Sequence, residues 1–236
     1  MTQMTLFSNG ASVPAYLKDA QDDTTDSLAG GSAQYKRISI KGGVWRMMEG
    51  ANEIARNEDR AMNFVIVNAA ETVSRTFYAG TYQEGVESSP SCFSPDGKTP
   101  DKAIKNPQSS SCQTCPQNIK GSGQGDSRAC RYQQRLAVLL ADDINGDVFQ
   151  LVLPSKSIFG KGDVDKMPWQ QYAKYVGSQG KSLSTLVTEI RMDSDSDTPK
   201  LTFKPVRFLT RDEWNVAKEK SDSPAAKAAV VMVAAQ

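Results

Sequence analysis

Cys92, Cys112, Cys115 and Cys130 are the chain's four cysteines, and it has no histidine. Nineteen residues separate the first and second, two the second and third, and fourteen the third and fourth. A Cys112-Gln113-Thr114-Cys115 knuckle between two outlying cysteines offers the four thiolates of a tetrahedral zinc site. The close pair fills two corners and each remote thiolate closes a loop onto the same ion. The stretch 85–129 repeats Ser, Pro, Gly, Asn and Gln with scarcely any aliphatic side chain. Such a segment builds no hydrophobic core of its own, so order in it needs another source of stability. Structural zinc supplies folding free energy directly. The alternatives are two disulfides, or four unrelated thiols with Cys115 merely buried beside Pro116. Without histidine, a cysteine nucleophile lacks its usual base.

A hydrophobic share of 39% with 23% charged residues is that of an ordinary soluble globular protein. The first ten residues lack the basic and apolar regions of a secretory signal, and no run of about 18 apolar residues occurs. These features point to a reducing cytosol and no membrane partner, which disfavours disulfides. Lys and Arg number 28 against 27 Asp and Glu, so any nucleic-acid surface must be a local groove and not a basic shell. Lys120, Arg128, Arg131 and Arg135 lead out of the cysteine region as a local positive run.

Residues 1–34, rich in Ser, Gly, Asp and Ala, read as a flexible arm with one apolar patch at 13–17 that either docks on a neighbouring copy of the chain or folds back as a lid on its own barrel. Strand-type segments follow at 35–48 (interrupted by Gly42-Gly43), 61–69, 74–82, 136–140 and 148–153. The segments 136–140 and 148–153 flank Asn145-Gly146, a strong hairpin turn. A second hairpin joins 186–192 to 200–209. Trp169, Tyr172, Ala173 and Val176 fall at helical spacing within 167–177, with Pro168 in the first turn. A further helix is expected at 211–220. The fold class is therefore mainly β with few helices, an OB-like small barrel or curled antiparallel sheet. Its core spans 35–215, with a zinc-bound insertion at about 85–131 and a tail at 216–236 that is either frayed or a short docking helix.

Catalytic motifs are missing: no GxxxxGK[ST] phosphate loop, no GxSxG elbow and no HExxH. Asp142 with Asp143, and Asp193, Asp195 and Asp197, could in principle hold Mg²⁺, but each set sits in an expected turn where Asp favours local backbone bonding. A four-thiolate zinc is coordinatively closed and activates no water. A non-enzymatic binder is expected. Binding single strands without reading sequence needs cations along the phosphates and aromatic faces for the bases. The chain interleaves them at Trp45-Arg46, Arg75 with Phe77, Arg131-Tyr132 with Arg135, and Lys156, Phe159 and Lys161. Trp45, Phe77 and Phe159 serve equally well as core residues. The loop 156–161 is the most specific candidate, since two lysines around a glycine-flexed Phe have no obvious core role.

The segment Ser91-Cys92-Phe93-Ser94-Pro95-Asp96-Gly97-Lys98-Thr99-Pro100-Asp101 resembles part of a family of bacteriophage single-stranded DNA-binding proteins. So do the knuckle at 108–116, Asn118 with Gly121-Ser122-Gly123, and Ala129-Cys130-Arg131. Phe203-Lys204-Pro205-Val206-Arg207-Phe208-Leu209-Thr210 with Asp212-Glu213 is similar to the end of that family's core, so the resemblance covers about 35–215. It implies an OB-like core with a zinc insertion held by Cys92, Cys112, Cys115 and Cys130. It further implies coating of single-stranded DNA during replication or recombination in the cytoplasm of an infected bacterium. Neighbouring copies and phage or host replication proteins would then be partners. Many such proteins end in an acidic tail, whereas 224–236 carries no acidic residue. The rival reading is a phage protein that grips a host protein through the zinc module.

Overall fold

A computed structural model of the chain describes residues 36–80 and 89–232. The arm expected at 1–34, with its apolar patch, lies outside the described residues. The chain forms β1 (Lys36–Ser39), β2 (Trp45–Glu49), β3 (Asn52–Asn57), β4 (Ala61–Ala69), β5 (Ser74–Phe77) and β6 (Cys92–Ser94) before the cysteine knuckle. After it come β7 (Arg131–Leu140), β8 (Phe149–Pro154), α1 (Ser155–Ile158), α2 (Trp169–Ser178), β9 (Leu186–Met192), β10 (Leu201–Phe208), α3 (Arg211–Asp222) and α4 (Pro224–Val230). The sheet runs β10-β9-β4-β7-β8-β1-β2-β3, with β5 paired to β7 and to β6. Its pairings are antiparallel except β1 against β8. The result is a mainly β protein whose curled half-barrel sheet is compatible with an OB-like fold.

The central strands are apolar on both faces because both are covered. Alternate side chains of a strand point to opposite faces, and β4 divides accordingly. Phe64 and Ile66 enter one core, Val65 and Val67 another. β7 does the same with Leu136 and Val138 against Ala137 and Leu139. The larger core is closed by α2, whose Trp169, Tyr172 and Val176 are buried along one stripe. Phe203 of β10 lies 5.4 Å from the Trp169 ring and 5.9 Å from that of Tyr172. The Tyr172 hydroxyl keeps its polar end satisfied there through a 2.7 Å hydrogen bond with Thr188 Oγ1.

The opposite face is covered by α3 and α4, so the chain beyond 215 completes the fold. Thr210 and Glu213 make a reciprocal cap at the start of α3, and Arg207 pairs with Glu213 at 2.7 Å. The Arg207 ion pair and the Thr210 amide hold the Glu213 carboxyl at about 2. Ser223 starts α4 by accepting from the Ala226 amide. Ala217, Ala226 and Ala229, small enough to let the helices approach closely, pack on Val65, Val67 and Leu139.

Both expected hairpins form, although the first is closed by a longer loop than the Asn145-Gly146 dipeptide suggests, with Val138 opposite Phe149. Gly42 and Gly43, each at φ 73°, make the tight bend between β1 and β2.

Candidate nucleic-acid interface and cysteine module

The cysteine module grows from the outer end of β7. Thr76 of β5 pairs with Arg131 on one side and Phe93 of β6 on the other, and Phe77 sits opposite Cys92. The loop then folds on its own polar groups. Asp96 accepts from the amides of Lys98 and Thr99 at 2.8 and 3.0 Å, and these bonds hold its carboxyl at about 2. The Cys112 amide donates to Lys98 O at 2.9 Å and the Cys130 amide to Gln117 O at 2.8 Å. The local apolar cluster is slight: Phe77, Cys92 and Cys130, with Ile104 and Ala129 against them.

All four cysteines are buried, unpaired thiols, and all four line one cavity of about 10 Å³. That is room for about one water-sized body. The thiols share this cavity without being gathered into a coordination shell. Among the described residues, no group of three or more His, Cys, Asp or Glu side chains is arranged to hold a metal. Burial pushes the Cys130 thiol up to about 11, and the nearby Arg75 charge opposes that rise.

Arg75, a candidate for phosphate contact on sequence grounds, is instead only 6% exposed and lines the same cavity. Its Nη2 donates to the Tyr132 hydroxyl, and its guanidinium carbon lies 4.1 Å from the Tyr132 ring centroid. Nε and Nη1 are buried with no hydrogen-bond partner among the described residues.

Beside the module, a groove of about 740 Å³ runs between the end of the cysteine loop and the β8–α1 corner. Lys120, Arg128 and Arg131 line one part, Lys156 another, and Asp126 is the acidic residue among its lining. The loop reaches the groove because the Gly121 and Gly123 amides both donate to Ser127 O at 3.0 Å, forming a hook. A Cβ at Gly123 would stand 2.6 Å from Ser127 Oγ, so the hook needs glycine there. Lys120 pairs with Asp126 at 3.1 Å, whereas Arg128, Arg131 and Lys156 make no ion pair with another described residue. Tyr132 lines the groove, and Phe159, 40% exposed, meets its ring edge-on at a centroid distance of 5.1 Å.

Of the ten residues expected to contact nucleic acid, Arg131, Tyr132 and Lys156 line this groove and Phe159 packs against the Tyr132 ring. The others are elsewhere. Trp45 is fully buried against Phe64, 5.5 Å between centroids, with its indole N–H donating to Asp59 O. Phe77 is buried in the cysteine module because β5 turns that face inward. Arg46 is held by Glu53 at 2.5 Å, and Arg56 grips the same carboxylate at 2.6 Å. Arg135 donates to Ser74 Oγ at 3.0 Å from a half-buried position. Lys161 is exposed beyond Gly160 and does not line the groove. Lys120 and Arg128, which sequence reading saw only as part of a charge run, belong to it.

The acidic turns have local duties. Asp193 accepts from Lys200 at 2.6 Å and from the Asp195 amide at 3.0 Å, and Lys200 above all holds its carboxyl below the usual range. Among the described residues no helix is long and apolar enough to cross a membrane. No family model, curated protein or solved structure matches the chain.

Proposed function

We propose that the protein binds single-stranded DNA without reading its sequence, along the groove between the cysteine loop and the β8–α1 corner. The observation that carries this reading is the groove's composition: four cations against one carboxylate, with Tyr132 in its lining and Phe159 against the Tyr132 ring. Cations spaced along a channel track phosphates, and an exposed aromatic face accepts any base, because every base has a π-face. Phe159 is the base-stacking element of this reading, with Tyr132 steadying its ring.

A structural zinc held by Cys92, Cys112, Cys115 and Cys130 is part of the same proposal. Four buried free thiols lining one cavity, in a module whose described apolar cluster is slight, are the donor types a single soft-ligand metal ion takes, and binding it would draw them together from the positions they hold in the structure. The metal would fix the backbone at Cys130, next to Arg131 and Tyr132, so that the groove's cations are ordered before DNA arrives. The resemblance to phage single-stranded DNA-binding proteins agrees with this reading and supplies its biological setting, replication or recombination in an infected bacterium.

The test is a salt-titrated binding assay with single- and double-stranded oligonucleotides of equal length, using protein whose zinc content has been measured. Tighter binding to single strands, weakening as salt rises, is expected. Equal or absent binding to both overturns the proposal.

A further inference from the structure

We infer that Arg75 is the charge-compensating positioning residue of the four-cysteine centre, a role that rests on the metal reading above. A guanidinium that is 6% exposed, with Nε and Nη1 unpartnered among the described residues, is an expensive arrangement unless something anionic lies beside it. Among the described residues the cavity that Arg75 lines contains no carboxylate, and its other ionisable lining residues are Cys92, Cys112, Cys115 and Cys130. Neutral thiols do not balance the cation, and disulfides would be neutral too. Four thiolates on one divalent ion carry a net charge of about −2, by the sum of the charges zinc and its ligands bring. A buried arginine would halve that charge, and its Nε and Nη1 would be the donors available to the thiolate sulfurs.

The rest of the side chain is already committed. Nη2 is bonded to the Tyr132 hydroxyl, and the guanidinium plane is backed by the Tyr132 ring. The backbone of Arg75 is paired on both sides, with Ser94 and with Tyr132. These bonds leave Nε and Nη1 as the groups still to be matched. Hydrogen-bonding partners outside the ligand set orient ligands and tune metal affinity, and losing one typically costs 10–100-fold in affinity.

The test compares full-length parent protein with Arg75→Met and Arg75→Lys, each prepared metal-free and reduced, then titrated with Co²⁺ and with Zn²⁺ against a chelator. Cobalt gives thiolate-to-metal charge-transfer absorption, which reports the ligands directly. Arg75→Met is expected to lower metal affinity about 10–100-fold and to shift the charge-transfer band, while Arg75→Lys recovers part of the loss. The metal-free proteins are expected to respond in the opposite sense. Removing an unmatched buried cation leaves metal-free Arg75→Met at least as stable as the metal-free parent, an inversion that a packing role alone does not produce. Should Arg75→Met fail to fold, neutral and polar Arg75→Gln makes the same comparison. Parent-like metal affinity in the neutral variants, or equal destabilisation with and without metal, overturns the role of Arg75 and leaves the zinc centre standing. A parent protein that takes up neither metal overturns both.

Discussion

Replacing Arg131 and Lys156 together with alanine tests the groove most directly, because both side chains are exposed and neither is in an ion pair with another described residue. Arg131 contributes its backbone to the β5–β7 pairing, which alanine preserves. Each single-strand phosphate neutralised contributes about 0.7 to the slope of log affinity against log salt, so the groove's four cations predict a slope of about −2.8 and the double variant about −1.4. Between about 50 and 200 mM salt, the parent should then lose about 50-fold in affinity and the variant only about 7-fold. Fluorescence anisotropy of a labelled oligothymidine, read at several salt concentrations, measures both slopes. Lys181→Ala, at an exposed lysine outside the groove, serves as the control. A double variant with the parent's slope, or a control with the same loss, refutes the assignment of the strand's path.

Elemental analysis of reduced protein should find about one zinc per chain. Cys112→Ser should increase amide exchange across 89–130 while β4, β7 and β9 stay protected; exchange that rises everywhere would mean that module and sheet unfold together. Phe159→Ala should weaken oligonucleotide binding by about 1–3 kcal/mol. It should leave the denaturation midpoint near the parent's, since Phe159 is partly exposed; unfolding at much lower denaturant would assign it to packing. Tyr172 ionises at about 12 in the fold against 10.0 for a free phenol, because burial disfavours its charged form. The unfolded chain therefore loses that proton first, and stability falls as pH rises between those values. Tyr172→Phe should flatten that part of the alkaline stability profile in urea titrations. At neutral pH it should cost about 1–3 kcal/mol by leaving Thr188 Oγ1 without its buried partner.

Where hydrophobic periodicity was strong, the fold was readable from the chain. Phe64-Val65-Ile66-Val67 and the Trp169, Tyr172, Val176 stripe lie where their spacing put them. β3 escaped notice because Asn52–Asn57 is almost wholly exposed at the sheet edge, with Glu53 bridging Arg46 and Arg56. α4 was ambiguous because alanines bury little area each, and only the facing strands decide whether Ala226 and Ala229 lie inside. Trp45 and Arg46 show the limit of reading adjacency. In a strand, neighbours face opposite ways, and only the fold reveals which way is core. The groove was least legible, since Lys120, Tyr132, Lys156 and Pro199 meet only after β7, β8 and the loop before β10 converge. The cysteine spacing brought four thiols to one cavity, but nothing in it flagged Arg75, whose signature is a buried cation with no carboxylate beside it among the described residues.

The pairing of Thr76 with Arg131 has an evolutionary corollary. Between β5 and β7 the cysteine excursion adds β6 to the other edge of β5 and then returns on the strand beside β5, so its departure and return points are hydrogen-bonded neighbours. Topologically the excursion is an oversized hairpin loop, and a two-residue turn could span the same gap. An ancestor with a plain hairpin could therefore have acquired the module in one insertion without disturbing the order of the strands. The same seam would let it be lost, exchanged or transplanted as a cassette.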